Sequence, residues 1–159
     1  MYPLQPLLRV RLLREENANL ALIAKRTALA QAIQDKQQKQ QKLSQYHDWR
    51  QQQEHELFEK VRNRTVSPHD LEELKSSFAT LRGREVDLET QVTNAENHET
   101  RAEEAKDQAV VSYRAALTGR QKIDQHREIW SKDWQREQNR LEDLEMEEFK
   151  GRPPEDMEL

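Results

Sequence analysis

Residues 71–148 read LEELKSSFATLRGREVDLETQVTNAENHETRAEEAKDQAVVSYRAALTGRQKIDQHREIWSKDWQREQNRLEDLEMEE. With Leu71 as a and Leu74 as d, this stretch holds one heptad frame without interruption. The seam runs through Phe78, Leu81, Leu88, Val92, Ala95, Ala102, Ala109, Tyr113, Ala116, Ile123, Trp130, Trp134, Leu141 and Leu144. Sixteen of its 23 positions are apolar, and the exceptions are Glu85, Glu99, Lys106, Arg120, Arg127, Glu137 and Glu148. A 3-4-3-4 repeat held this long makes a helix with a narrow apolar stripe, the geometry of a coiled coil. Such a stripe meets another helix and does not wall a substrate pocket. Long charged side chains in a thin two-helix seam bury their stems and keep their heads wet, so the exceptions weaken the seam and help to set its register.

Working outward, Ser67-Pro68 precedes this helix. The Ser67 hydroxyl suits an N-cap, Pro68 suits the first helical position, and Asp70 adds negative charge to the first turn. Upstream, Asn63 suits a helix C-terminus. Helix 1 is therefore predicted from about Leu7 to Arg62, the turn at 63–67, and helix 2 from Pro68 to about Lys150. Gly151 offers a left-handed cap and Pro153-Pro154 forbids continuation, leaving an acidic tail, 151–159, that is expected to be disordered. Gly119 is the weak point inside helix 2 and a candidate bend. Helix 1 shows a sparser apolar pattern, Leu8, Leu12, Leu20, Ile23, Ala30, Ile33, Leu43, Tyr46, Trp49, Leu57 and Val61, around a Gln-rich centre. Its heptad reads as broken, predicting looser packing.

The composition agrees with an all-α chain. Ala, Glu, Lys, Leu and Arg supply 78 of 159 residues, while Gly occurs three times and Pro five. Leu, Ile, Val and Phe total only 32, too few to fill a globular core. The expected fold is one long antiparallel two-helix coiled-coil hairpin spanning 1–150, the second helix longer than the first. At ~1.5 Å per residue, helix 1 is roughly 85 Å long and helix 2 roughly 125 Å. Folding back about Val66 sets Leu8 near Asp124, so Ile129, Trp130, Trp134, Leu141, Leu144 and Phe149 are expected to overhang without an intramolecular partner. That stripe is a candidate interface.

Other functions find little support. There is no Cys, and no run of 18 apolar residues exists for a membrane span. A secretory signal is disfavoured because Arg9, Arg11 and Arg14 interrupt the apolar residues near the start. Net charge is −4, with residues 1–63 at +4 and residues 64–159 at −8, which favours pairing of the two helices. The basic groups are scattered among acids, which disfavours nucleic acid. His47, His55, His69, His98 and His126 form no zinc or di-iron signature, and no nucleophile–base constellation or phosphate-binding glycine loop is present. The reading is a non-enzymatic, monomeric, cytoplasmic protein with no cofactor and no metal.

Four stretches are more pointed: Leu7-Leu8-Arg9-Val10-Arg11-Leu12-Leu13-Arg14; Tyr46-His47-Asp48-Trp49-Arg50 through Glu56-Leu57-Phe58; Asp70-Leu71-Glu72 through Leu81-Arg82-Gly83-Arg84-Glu85; and Glu145-Met146-Glu147-Glu148-Phe149. In them the chain resembles the YscO family of bacterial type III secretion proteins, counterparts of flagellar FliJ. The resemblance implies a coiled coil similar to part of the γ subunit of rotary ATPases. It implies a central stalk in a hexameric secretion ATPase that links it to the export gate and handles export chaperones, at the cytoplasmic face of the apparatus. By position it assigns Leu8, Arg9, Arg11, Leu12, Arg14, Trp130, Trp134 and Leu141 to the ATPase. It assigns Tyr46, Trp49, Leu57, Phe58, Leu74, Phe78 and Leu81 to the export gate or chaperones. A type III chaperone, or a general coiled-coil scaffold binding exported proteins directly, is the other reading.

Overall fold

The computed structural model describes residues 1–151. It contains two helices, α1 at Gln5–Val61 and α2 at Pro68–Gly151, joined by one turn and packed antiparallel. The fold is all-α and α2 is the longer helix. The turn forms as its residues dictate. Asn63 takes a left-handed φ of 64°, which stops α1. The Ser67 hydroxyl accepts the Asp70 N–H at 3.1 Å, and the Asp70 carboxylate accepts the Ser67 N–H at 3.4 Å. The two residues thus satisfy each other's free donors, as a capping box does. At the far end α2 carries through Gly151 in helical conformation, and no glycine among the described residues has a positive φ. The left-handed cap expected at Gly151 is therefore absent there, and the tail beyond it lies outside the described residues.

The chain divides into two compact units. The turn unit is Ala21–Val110; the terminal unit joins Met1–Leu20 to α2 from Val111 onward. In the turn unit every α2 seam position from Leu74 to Ala109 is buried or half-buried, with Leu88, Val92, Ala95 and Ala102 forming the core. In the terminal unit the same holds from Tyr113 to Ile123. Leu71, at the start of the frame, is exposed.

α1 differs from its sequence reading. Its shielded positions also recur at 3-4 spacing: Leu8, Arg11, Glu15 and Ala18 in the terminal unit, and Leu22, Leu29, Ala32, Lys36, Lys39, Leu43, Tyr46, Arg50, Gln53 and Leu57 in the turn unit. The heptad is not broken; many of its seam positions are polar, and only Lys25 of the series is exposed. Leu12, Leu20 and Ile23, read as inward, face solvent, while Leu22 is 4% exposed.

Gly119 lies within continuous α2 and gives room to a side chain from α1. A Cβ there would sit 2.8 Å from Nη1 of Arg11. The Nε of Arg11 is buried without a hydrogen-bond partner. Gly119→Ala would displace only the far end of a flexible side chain, freeing it toward water. It would also remove a glycine penalty of about 1 kcal/mol from the helix interior. We expect this variant to unfold at higher urea concentration, with a gain of roughly 0.5–1 kcal/mol; a lower midpoint would show that Arg11 needs this seat.

Candidate functional site

Three of the charged seam positions of α2, Glu85, Glu99 and Arg120, are matched by opposite charges on α1. In the turn unit, Lys36 meets Glu99 at 2.6 Å. Glu85 accepts a hydrogen bond from Nδ1 of His47 at 2.7 Å and pairs with Arg50. Arg50 also donates to Glu54 at 2.8 Å, and Arg82 donates to the other oxygen of Glu54 at 3.0 Å. In the terminal unit, Arg120 pairs with Glu15 on α1 and with Asp124 on its own helix. These groups lie in partly shielded seams, where charge-assisted hydrogen bonds fix register more than they add net stability.

The Glu85 carboxyl is held below its usual range, first by the hydrogen bond from His47 and then by the positive charge of Arg50, against the opposing effect of desolvation. Glu54 is lowered likewise, by Arg82 first. An unfolded chain has ordinary carboxyls near about 4.3. The stabilisation from Glu85 is therefore complete above that pH and is lost as pH falls through the lower folded value. We expect the melting temperature to fall on acidification below about pH 4.5, and Glu85→Gln to flatten that dependence. Parallel wild-type and mutant profiles between pH 7 and 3 would contradict this.

The turn end of the turn unit carries a cleft of about 320 Å³ whose apolar lining is Leu57, Val61, Val66 and Leu74, with Lys60, Arg64, Asp70 and Glu73 at its rim. It brings Leu57 and Leu74 together and adds Val61 and Val66. Phe78 and Leu81 are half-buried in the seam. Tyr46 donates its hydroxyl to the Leu81 carbonyl at 2.7 Å, and Trp49 lies against Tyr46 with ring centroids 5.5 Å apart. Trp49 and Phe58 are exposed.

In the terminal unit, Leu8 is 2% exposed and belongs to the core, and Arg11 is half-buried over Gly119. Arg9, Leu12, Arg14 and Leu141 face solvent. Trp130 does not overhang unpartnered. Tyr2, ahead of α1 and 7% exposed, packs its ring edge-on against Trp130 at 5.4 Å. Its hydroxyl lies 2.6 Å from Nδ1 of His126. Trp134 stacks on Trp130 at 6.4 Å and is 48% exposed. Tyr2 was missed because it precedes the helix; its one signal is an aromatic residue just ahead of Pro3.

The profile of the family described as type III secretion protein YscO matches residues 4–152. The chain belongs to the YscO family. It is similar to Yop proteins translocation protein O of Yersinia pseudotuberculosis serotype I (strain IP32953), with 35% identity over 81 residues. That alignment spans 51% of this chain and 53%, about half, of the Yersinia protein. The crystal structure of type III secretion protein YscO from Vibrio parahaemolyticus superposes with a TM-score of 0.85 at 27% identity, covering 92% of each chain. Membership of the YscO family places the chain in type III secretion. No described helix is long and apolar enough to cross a membrane.

Proposed function

We propose that this YscO-family chain is a non-enzymatic stalk and adaptor of a type III secretion apparatus. It binds the hexameric secretion ATPase through its terminal unit, and the export gate and export chaperones through its turn unit. It works at the cytoplasmic face of the apparatus. The observation that carries this reading is the continuation of α2 past its α1 partner, with Trp134, Leu141 and Leu144 exposed on the seam. Arg9, Leu12 and Arg14 supply exposed basic and apolar groups in the same unit. The cleft between Leu57 and Leu74, with exposed Trp49 and Phe58, offers the second surface. Catalysis is not required of it. A protein that binds the states of a ring unequally shifts their populations and so alters the rate of the ring's own chemistry.

The test is co-sedimentation of the purified chain with the purified secretion ATPase, and separately with an export chaperone–substrate complex. A complex is expected in both experiments, and with the ATPase in the absence of any exported protein. Binding to exported proteins with no affinity for the ATPase would replace this reading with a chaperone or scaffold.

A further inference from the structure

The way α1 covers α2 defines what the uncovered part of α2 requires. Where the seam is covered, its α2 carboxylates meet bases of α1: Glu85 meets Arg50 and Glu99 meets Lys36. The same heptad continues past Trp134 through Leu141 and Leu144 to Glu148, without a change of frame. Both leucines are exposed, at 41% and 43%. Glu145 and Glu147 occupy the positions that flank this stripe, and Glu148 lies on it. None of the three forms an ion pair among the described residues, whereas Glu137, earlier on the same stripe, is taken by Arg140.

We propose that α2 beyond Trp134 is a docking surface for a basic amphipathic helix of another protein. The helix lays an apolar stripe over Trp134, Leu141 and Leu144 and brings Lys or Arg side chains to Glu145, Glu147 and Glu148. Two features select this occupant. The surface is continuous with the α1–α2 interface, so the geometry of a helix partner is already set. The unpaired charges on and flanking the stripe, Glu145, Glu147 and Glu148, have one sign, so a basic helix is attracted and an acidic one repelled. A second copy of the chain is a poorer fit, because the bases on the seam of its own α1 already face α2. The inference deepens the proposed function by giving the chemistry of the partner at the terminal unit, and in that sense rests on it.

The test uses the full chain and three synthetic helical peptides of equal length: a Leu/Lys heptad, a Leu/Glu heptad, and a Leu/Lys sequence scrambled to remove the stripe. Binding is followed by calorimetry and Trp fluorescence. The Leu/Lys heptad should bind at least about tenfold more tightly than either control. Leu141→Ser/Leu144→Ser and Glu145→Lys/Glu147→Lys/Glu148→Lys should each reduce that affinity about tenfold or more, with helicity unchanged. Equal binding of the heptad and scrambled basic peptides would reduce the effect to bulk charge and overturn the proposal. So would affinity that survives both variants. Concentration-dependent self-association lost in the same variants would overturn it in favour of a second copy. The ATPase measurements use no peptide, so the proposed function and this inference can fail separately.

Discussion

Leu22→Ala is expected to lower the free energy of unfolding by about 2–3 kcal/mol, whereas Leu20→Ala and Ile23→Ala should each change it by less than about 0.5 kcal/mol. The three residues are near neighbours on α1 and similar in hydrophobicity. They differ in placement: Leu22 is 4% exposed on the seam, while Leu20 and Ile23 are 58% and 51% exposed. Truncating Leu22 removes buried methyl groups and leaves a cavity that rigid neighbouring turns fill only in part. Truncating the other two removes groups already in water. Urea unfolding followed by circular dichroism reads the difference as a shift of midpoint at constant slope. A larger loss from Ile23 than from Leu22 would mean that the α1 register is wrong.

The second large effect is functional. Trp130→Ala/Trp134→Ala should weaken binding to the secretion ATPase about thirtyfold, near 2 kcal/mol, the scale of Trp residues that anchor interfaces. Helical content should hardly change, because Trp134 is half-exposed and Trp130 touches α1's side of the unit through Tyr2, ahead of the helix. Trp134→Ala alone isolates the exposed ring and leaves the Tyr2–Trp130 contact in place. If the single variant retains full affinity while the double loses it, the contact is made at Trp130 after Tyr2 moves aside. If both retain it, the ATPase binds elsewhere.

The two helices were unequally legible in the sequence, for a physical reason. The α2 seam is mostly apolar, so its frame is visible and its burial follows it from Leu74 to Ile123. The α1 seam holds Arg11, Glu15, Lys36, Lys39, Arg50 and Gln53, all half-buried. Two helices shield a seam only from one side, so a long polar side chain can bury its stem and still reach a partner or water. A search for apolar spacing then selects Leu12, Leu20 and Ile23, which face outward. The charged exceptions on α2 held the missing information. Each of Glu85, Glu99 and Arg120 names an opposite charge that α1 must supply, and Arg50, Lys36 and Glu15 supply them.

The surfaces were legible in part. Exposed Trp134 and Leu141, and the meeting of Leu57 with Leu74, follow from length and hairpin topology. Leu8 is core because α1 packs on α2 that far along, and Trp130 is partnered because Tyr2 folds across α2 before α1 begins. Neither Tyr2 nor Val66 belongs to a helical repeat, so periodicity carried no sign of them, whereas Val61 closes the apolar pattern of α1.

The most direct measurement is the hydrolysis rate of the cognate secretion ATPase titrated with the full chain. A central stalk predicts a saturable rise that is complete near one chain per hexamer and is lost in Trp130→Ala/Trp134→Ala. An unchanged rate at saturating chain, with the ATPase assembled as a hexamer, would contradict the account.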